Sequence, residues 1–117
     1  MKILIADDAA FMRMRLRKLL EEAGHTVLEA TNGEEAVAMY REQNPAVVLM
    51  DITMPEMDGV TATRHICQSD PKARVIMVSA LGQQAMIVSA IQAGAKDFVV
   101  KPYEVDRVLG AINKWAQ

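Results

Sequence analysis

The order of hydrophobic patterns along the chain constrains its fold more than any other feature. Short apolar runs at residues 3–6, 26–29, 47–50, 75–78 and 98–100 alternate with longer stretches of helical period. Four of the runs are continuously apolar and rich in Val, Ile and Leu, as suits strands covered on both faces. The run Thr26-Val27-Leu28-Glu29 is bracketed by polar residues and reads as an edge strand.

The intervening stretches carry helix signals. Met12, Leu16, Leu19, Leu20 and Ala23 share one face, and Gly24 follows as a stop. Thr31-Asn32-Gly33-Glu34 has the form of a capping box with Thr31 as its cap, and opens a helix through Ala36, Val37 and Tyr40. Pro45 prevents that helix from continuing. A third helix follows Asp58-Gly59, with Val60, Thr63 and Cys67 inward, and ends near Pro71. A fourth spans 83–93 and stops at Gly94, and the last carries Val105, Val108, Leu109, Ile112 and Trp115 on one stripe. Five strand–helix repeats predict an α/β, doubly wound, five-stranded parallel sheet in a three-layer sandwich. Right-handed crossovers and an edge-like second strand give the flavodoxin-like order 2-1-3-4-5. Ligands in such sheets bind beyond the carboxyl ends of the strands, where strands 1 and 3 diverge.

Composition narrows the class. A chain of 117 residues favours a single domain spanning 1–117. A net charge of −2 argues against a nucleic-acid binder. The single cysteine, Cys67, excludes an internal disulfide framework and a cysteine-rich zinc site, and it reads as a small buried residue. No apolar run approaches the roughly 20 residues that span a bilayer. The N-terminus has no signal-peptide layout, so the expected location is the cytoplasm. Nine methionines read mainly as gap-fillers, Met12 and Met50 among them. Arg13, Arg15, Arg17 and Lys18 read as a solvated face of the first helix.

The strand ends are chemically distinctive. Strand 1 ends in Asp7-Asp8, strand 3 in Asp51, strand 4 in Ser79 and strand 5 in Lys101-Pro102. Singly, each has a plain role: Asp8 as a helix cap, Asp51 as a turn residue, Ser79 as a loop serine, Lys101 as a solvated lysine. The proposed strand order brings them together, and clustered charges in a cleft are functional candidates. Three carboxylates in one pocket need a cation or a raised pKa. All-oxygen surroundings suit a hard cation, Mg2+ where phosphate is handled. A metal held by Asp8 and Asp51 would bridge to phosphoryl oxygens, with Lys101 offsetting charge and Ser79 donating a hydrogen bond. Asp51 itself can be the nucleophile that forms an acyl phosphate. An aspartate-nucleophile phosphohydrolase stays open at this point, although Asp7-Asp8 lacks a spaced Asp-x-Asp arrangement. A flavodoxin-like electron carrier would need a phosphate-cradling loop where Asp7-Asp8 stands.

Asp7-Asp8, Asp51-Ile52-Thr53-Met54-Pro55-Glu56-Met57-Asp58-Gly59, Ser79-Ala80 and Lys101-Pro102 together resemble the receiver domain of two-component response regulators, over nearly the whole chain. The order 2-1-3-4-5 is also that family's own. The resemblance implies that Asp51 accepts the phosphoryl group and that Asp8 ligates Mg2+, with Asp7 acting mainly through water. It makes the Thr53 carbonyl a further ligand and has Ser79 and Lys101 contact the phosphoryl group. It also implies a cis Lys101–Pro102 bond. Phe98, which periodicity alone puts in the core, becomes a switch residue, and Ile87, Ile91, Phe98 and Tyr103 become part of an output face. The segments from Asp8 to Arg13, Ser79 to Met86 and Lys96 to Pro102 are most similar to the single-domain chemotaxis regulators of the family. The implied partners are a chemotaxis histidine kinase, a flagellar motor switch protein and a phosphatase, met by a monomer that turns over no substrate. A receiver belonging to a longer transcriptional regulator is the alternative.

Overall fold

A computed structural model describes residues 1–116. Its strands are β1 (Lys2–Ala6), β2 (Thr26–Ala30), β3 (Val47–Asp51), β4 (Val75–Ser79) and β5 (Asp97–Val100). They alternate with helices α1 (Ala10–Glu22), α2 (Gly33–Gln43), α3 (Gly59–Ser69), α4 (Gln84–Ala93) and α5 (Val105–Trp115). All strand pairs are parallel, in the order β2-β1-β3-β4-β5, with β2 at one edge as its polar flanks require.

The alternation of strand side chains divides the core into two halves. Leu4, Ala6, Val48, Met50, Val75 and Met77 face α2, α3 and α4. Ile3, Ile5, Val47, Leu49, Ile76, Val78 and Val99 face α1 and α5. The central strands are buried on both faces, which is why their sequences are apolar without interruption. Each buried Leu or Ile side chain contributes about 1.5–3 kcal/mol relative to exposure.

Local signals were displaced where they competed with packing. The cap of α2 is Asn32, not Thr31. Asn32 Oδ1 accepts the Glu35 N–H at 2.8 Å, and Glu35 reaches back to the Thr31 N–H at 2.8 Å. The capping exchange survives one residue later, because Gly33 must start the helix flat against the Met57 carbonyl, to which its N–H donates at 2.9 Å. Ala23 is exposed as the C-cap of α1 instead of lying inward. Val105 is exposed at the start of α5, while Ala111 takes a buried place on its stripe. Met12 and Cys67 are half-buried, whereas Met50 is fully buried. Arg13 and Arg17 are not simply solvated. Both clamp Glu29 of β2, with Arg13 Nε at 3.0 Å and Arg17 Nε at 2.6 Å from its carboxylate.

Candidate functional site

Asp7 and Asp8 follow β1, Asp51 ends β3, Ser79 ends β4 and Lys101 follows β5. Register places Asp51 opposite Val78 and Ser79 opposite Val100, so the four strand ends meet at one edge of the sheet. Oxygens of Asp7, Asp8 and Asp51 lie within 4.8 Å of one another.

The chain turns these groups inward by identifiable means. Asp7 stays on the sheet, its N–H donating to the Ala30 carbonyl at 3.1 Å. Its Oδ1 accepts the Ala9 N–H at 2.8 Å, and Arg13 Nη1 donates to its carbonyl at 2.7 Å. The cap of α1 is Ala9, with no side-chain bond. Asp8 therefore does not cap the helix; it is exposed, with its carboxylate free for the cluster. On β3, Gly59 at the start of α3 donates its N–H to the Ile52 carbonyl at 2.7 Å. A Cβ at Gly59 would run into the Asp51 carbonyl, so only glycine lets the helix seat against the strand that carries this carboxylate.

The electrostatics follow from burial. The Asp51 side chain is only 12% exposed. Desolvation pushes its carboxyl up to about 6; Lys101 pulls it down and Asp7 adds to the rise. Lys101 Nζ stands 3.5 Å from Asp7 Oδ2 and 3.5 Å from Asp51 Oδ1. That distance makes it a shared counter-charge more than a strong hydrogen-bond donor. Lys101 pairs with two of the three carboxylates, and the excess of negative charge with all-oxygen donors fits a hard divalent cation.

Ser79 supplies the clearest sign of a missing partner. It is fully buried, and its Oγ is the buried side-chain polar atom that lacks a hydrogen bond among the described residues. Such an orphan costs about 1–3 kcal/mol, and functional sites are where it is tolerated. The Lys101 N–H donates to the Ser79 carbonyl at 2.7 Å, which joins the ends of β4 and β5, and the Lys101–Pro102 bond is cis. Thr53 lies exposed in the loop after β3, with its hydroxyl engaged by Gln83.

Phe98 is not a core residue. It is 37% exposed and lines a groove of about 350 Å³ with Leu81, Ile87, Val88 and Val100. Periodicity failed here because β5 is an edge strand, with one face only partly covered. Ile91 is exposed and Tyr103 half-buried. Sequence reasoning missed three residues that shape the site: Gly59, Arg13 and Gln83. Gly59 was visible as a helix start and as the end of the Asp51–Gly59 motif but not as a packing requirement, and Arg13 and Gln83 each reach a partner distant in the chain, Glu29 and Thr53.

A family model for the response regulator receiver domain matches residues 3–113. The chain is 60% identical over 114 residues to the chemotaxis protein CheY of Bacillus subtilis (strain 168), covering 97% of this chain and 95% of that protein. Among solved structures it is similar to a response regulator receiver domain protein from Clostridium thermocellum, with a TM-score of 0.93 and 29% identity, covering 98% of this chain and 93% of that one. It is also similar to the CheX-CheY-BeF3-Mg+2 complex from Borrelia burgdorferi, with a TM-score of 0.90 and 39% identity, covering 97% of this chain and 87% of that one. The chain therefore belongs to the response regulator receiver domain family.

Proposed function

We propose that Asp51 accepts a phosphoryl group from a phosphohistidine donor and that residues 1–117 work as a single-domain chemotaxis response regulator, a signalling switch and not a turnover enzyme. The observation that carries this reading is the pairing of Asp51 with Ser79. A buried carboxylate with a raised pKa stands one strand away from a buried hydroxyl that has no partner. The chemotaxis assignment is supported by 60% identity to CheY over nearly the full length of both chains.

Asp7, Asp8, Asp51 and the Thr53 carbonyl are the groups that would hold Mg2+. Mg2+ bound there would offset the carboxylate charge and favour phosphoryl oxygens at the site. The rest of the chemistry belongs to the chain. An Asp51 carboxylate oxygen attacks phosphorus, the P–N bond to the donor imidazole breaks, and an acyl phosphate forms. Lys101, already 3.5 Å from Asp51, shifts from carboxylate counter-ion to partner of the new oxyanion. The Ser79 hydroxyl gains the acceptor it lacks. Formation of those two charge-assisted bonds biases the loop after β4, and with it α4 and the Phe98 groove.

The partners of this reading are a chemotaxis histidine kinase, a flagellar motor switch protein reading the α4–β5–α5 face, and a phosphatase. The Borrelia relative, found together with CheX, BeF3 and Mg+2, supports a partner that meets the phosphorylated form. No helix among the described residues is long and apolar enough to cross a membrane, which fits the cytoplasmic place this reading assigns. Incubation with acetyl phosphate and Mg2+ tests the proposal. Wild type should take up acid-labile phosphate, and Asp51→Asn should lose it by at least a hundredfold. Undiminished uptake by Asp51→Asn would remove Asp51 from the acceptor role.

A further inference from the structure

Gln83 joins the two loops that flank the Asp51 carboxylate. Its Oε1 accepts the Ala80 N–H at 2.7 Å, and its Nε2 donates to Thr53 Oγ1 at 3.1 Å. Ala80 directly follows Ser79, and Thr53 stands two residues past Asp51. The loops lie side by side because β3 and β4 are neighbours. One neutral amide therefore occupies the backbone donor next to the orphaned Ser79 hydroxyl.

Little else holds this segment. Leu81, Gly82, Gln84, Ala85 and Met86 are exposed. Gln83 is the N-cap of α4, yet its side chain makes no capping bond to the helix, because the amide is engaged across the loops instead. Of the residues of α4, only Ala90 is buried. A segment with so few ties can adopt a second arrangement at small cost.

We propose that Gln83 is a latch on the Ser79 loop: its amide pins the Ala80 N–H and the Thr53 hydroxyl together in the unphosphorylated state and lets them go when an oxyanion forms on Asp51. This rests on Asp51 being the phosphoacceptor. The Ala80 N–H, which now donates to a neutral amide, bonds more strongly to an anion, so the exchange favours the phosphorylated state once the anion is present. The bridge sets how far that balance has to be tipped. Gln83 is a positioning residue; it touches no carboxylate of the cluster.

The test uses beryllium fluoride as the phosphoryl mimic, with Mg2+ present, and measures its affinity for the intact chain. Gln83→Met keeps length and bulk but cannot bridge the loops. It should bind beryllium fluoride about threefold to tenfold more tightly, the size of one net neutral hydrogen bond. Its Mg2+ affinity should equal that of wild type, which a general loosening of the site would not preserve. Thr53→Val keeps the backbone carbonyl and should give part of the same gain. Adding it to Gln83→Met should give nothing more, because both remove one bridge. Should Gln83→Met prove unstable, Gln83→Asn, too short to reach both loops, should show the same gain. Failure of wild type to bind beryllium fluoride overturns the acceptor reading beneath. Wild-type binding with equal or weaker binding by Gln83→Met, or additive effects in the double variant, overturns the latch alone.

Discussion

Helices α3 and α4 are consecutive, pack on the same face of the sheet and have 11 and 10 residues, yet they are held very differently. α3 buries Gly59, Val60, Ala62, Thr63 and Ile66; α4 buries Ala90 alone. Asp58 caps α3 by accepting the Thr61 N–H at 2.8 Å, whereas α4 has no capping side-chain bond. α3 begins flat against the strand that carries Asp51. α4 is secured at its far end, where a Cβ at Gly94 would stand 2.7 Å from the Cys67 side chain. Its near half leaves Met86 and Val88 in solvent, as the loop between it and Ser79 leaves Leu81. The contrast fits a switch that must hold its acceptor still while letting the neighbouring loop respond. Local stability tracks buried apolar contact, and responsive elements come from the less stable end.

The contrast makes graded predictions. Ile66→Ala, which empties a fully buried site on α3, should lower unfolding stability by about 2–5 kcal/mol. A urea titration measures it, and a loss below about 1 kcal/mol would break the claim that α3 is the fixed side.

Next in size is the charge on Asp51. Burial pushes its carboxyl up to about 6 in the folded chain, against an ordinary value of 3.8. The folded state therefore binds the proton more tightly, and the ionised group destabilises the fold above pH 6. In metal-free buffer Asp51→Asn should be more stable than wild type at pH 7 by about 1–3 kcal/mol. The gap should narrow as pH falls from about 6 towards 4 and vanish below about 3.8, where the carboxyl is protonated in both states. Thermal unfolding across pH 4–8 gives the readout, and a gap that is absent or widens on acidification contradicts it.

Asp58→Ala removes the α3 cap and should cost about 1 kcal/mol. On the other side, Ile91→Ser alters a residue that is 45% exposed on α4 and should change stability by less than about 0.5 kcal/mol. If Ile91→Ser costs as much as Asp58→Ala, the two helices are not held differently. Amide exchange should rank them the same way, with the first turns of α4 exchanging ahead of α3.

Much of this was legible in the sequence because it is local or periodic. Buried parallel strands must be apolar on both faces, so 47–50 and 75–78 could be placed to within a residue of β3 and β4. The acids and Lys101 were readable because they sit immediately after such runs. Legibility failed where a residue's role depends on a partner far along the chain. Arg13 meets Glu29 only after β2 has paired with β1. Gln83 reaches Thr53 across 30 residues. The α2 cap moved to Asn32 because Gly33 had to pack on Met57, a contact no local motif contains.

The sequence by itself determined the alternation of strands and helices, the strand order and the set of polar residues at the strand ends, since hydrophobic period and chain connectivity suffice for these. Tertiary structure alone decided how those residues stand to one another. It left Ser79 Oγ without a partner, raised the Asp51 carboxyl by burial, put Phe98 at the surface and set Gln83 across two loops. The physical reason is that desolvation and hydrogen-bond satisfaction depend on what surrounds an atom in space, which periodicity along the chain does not encode.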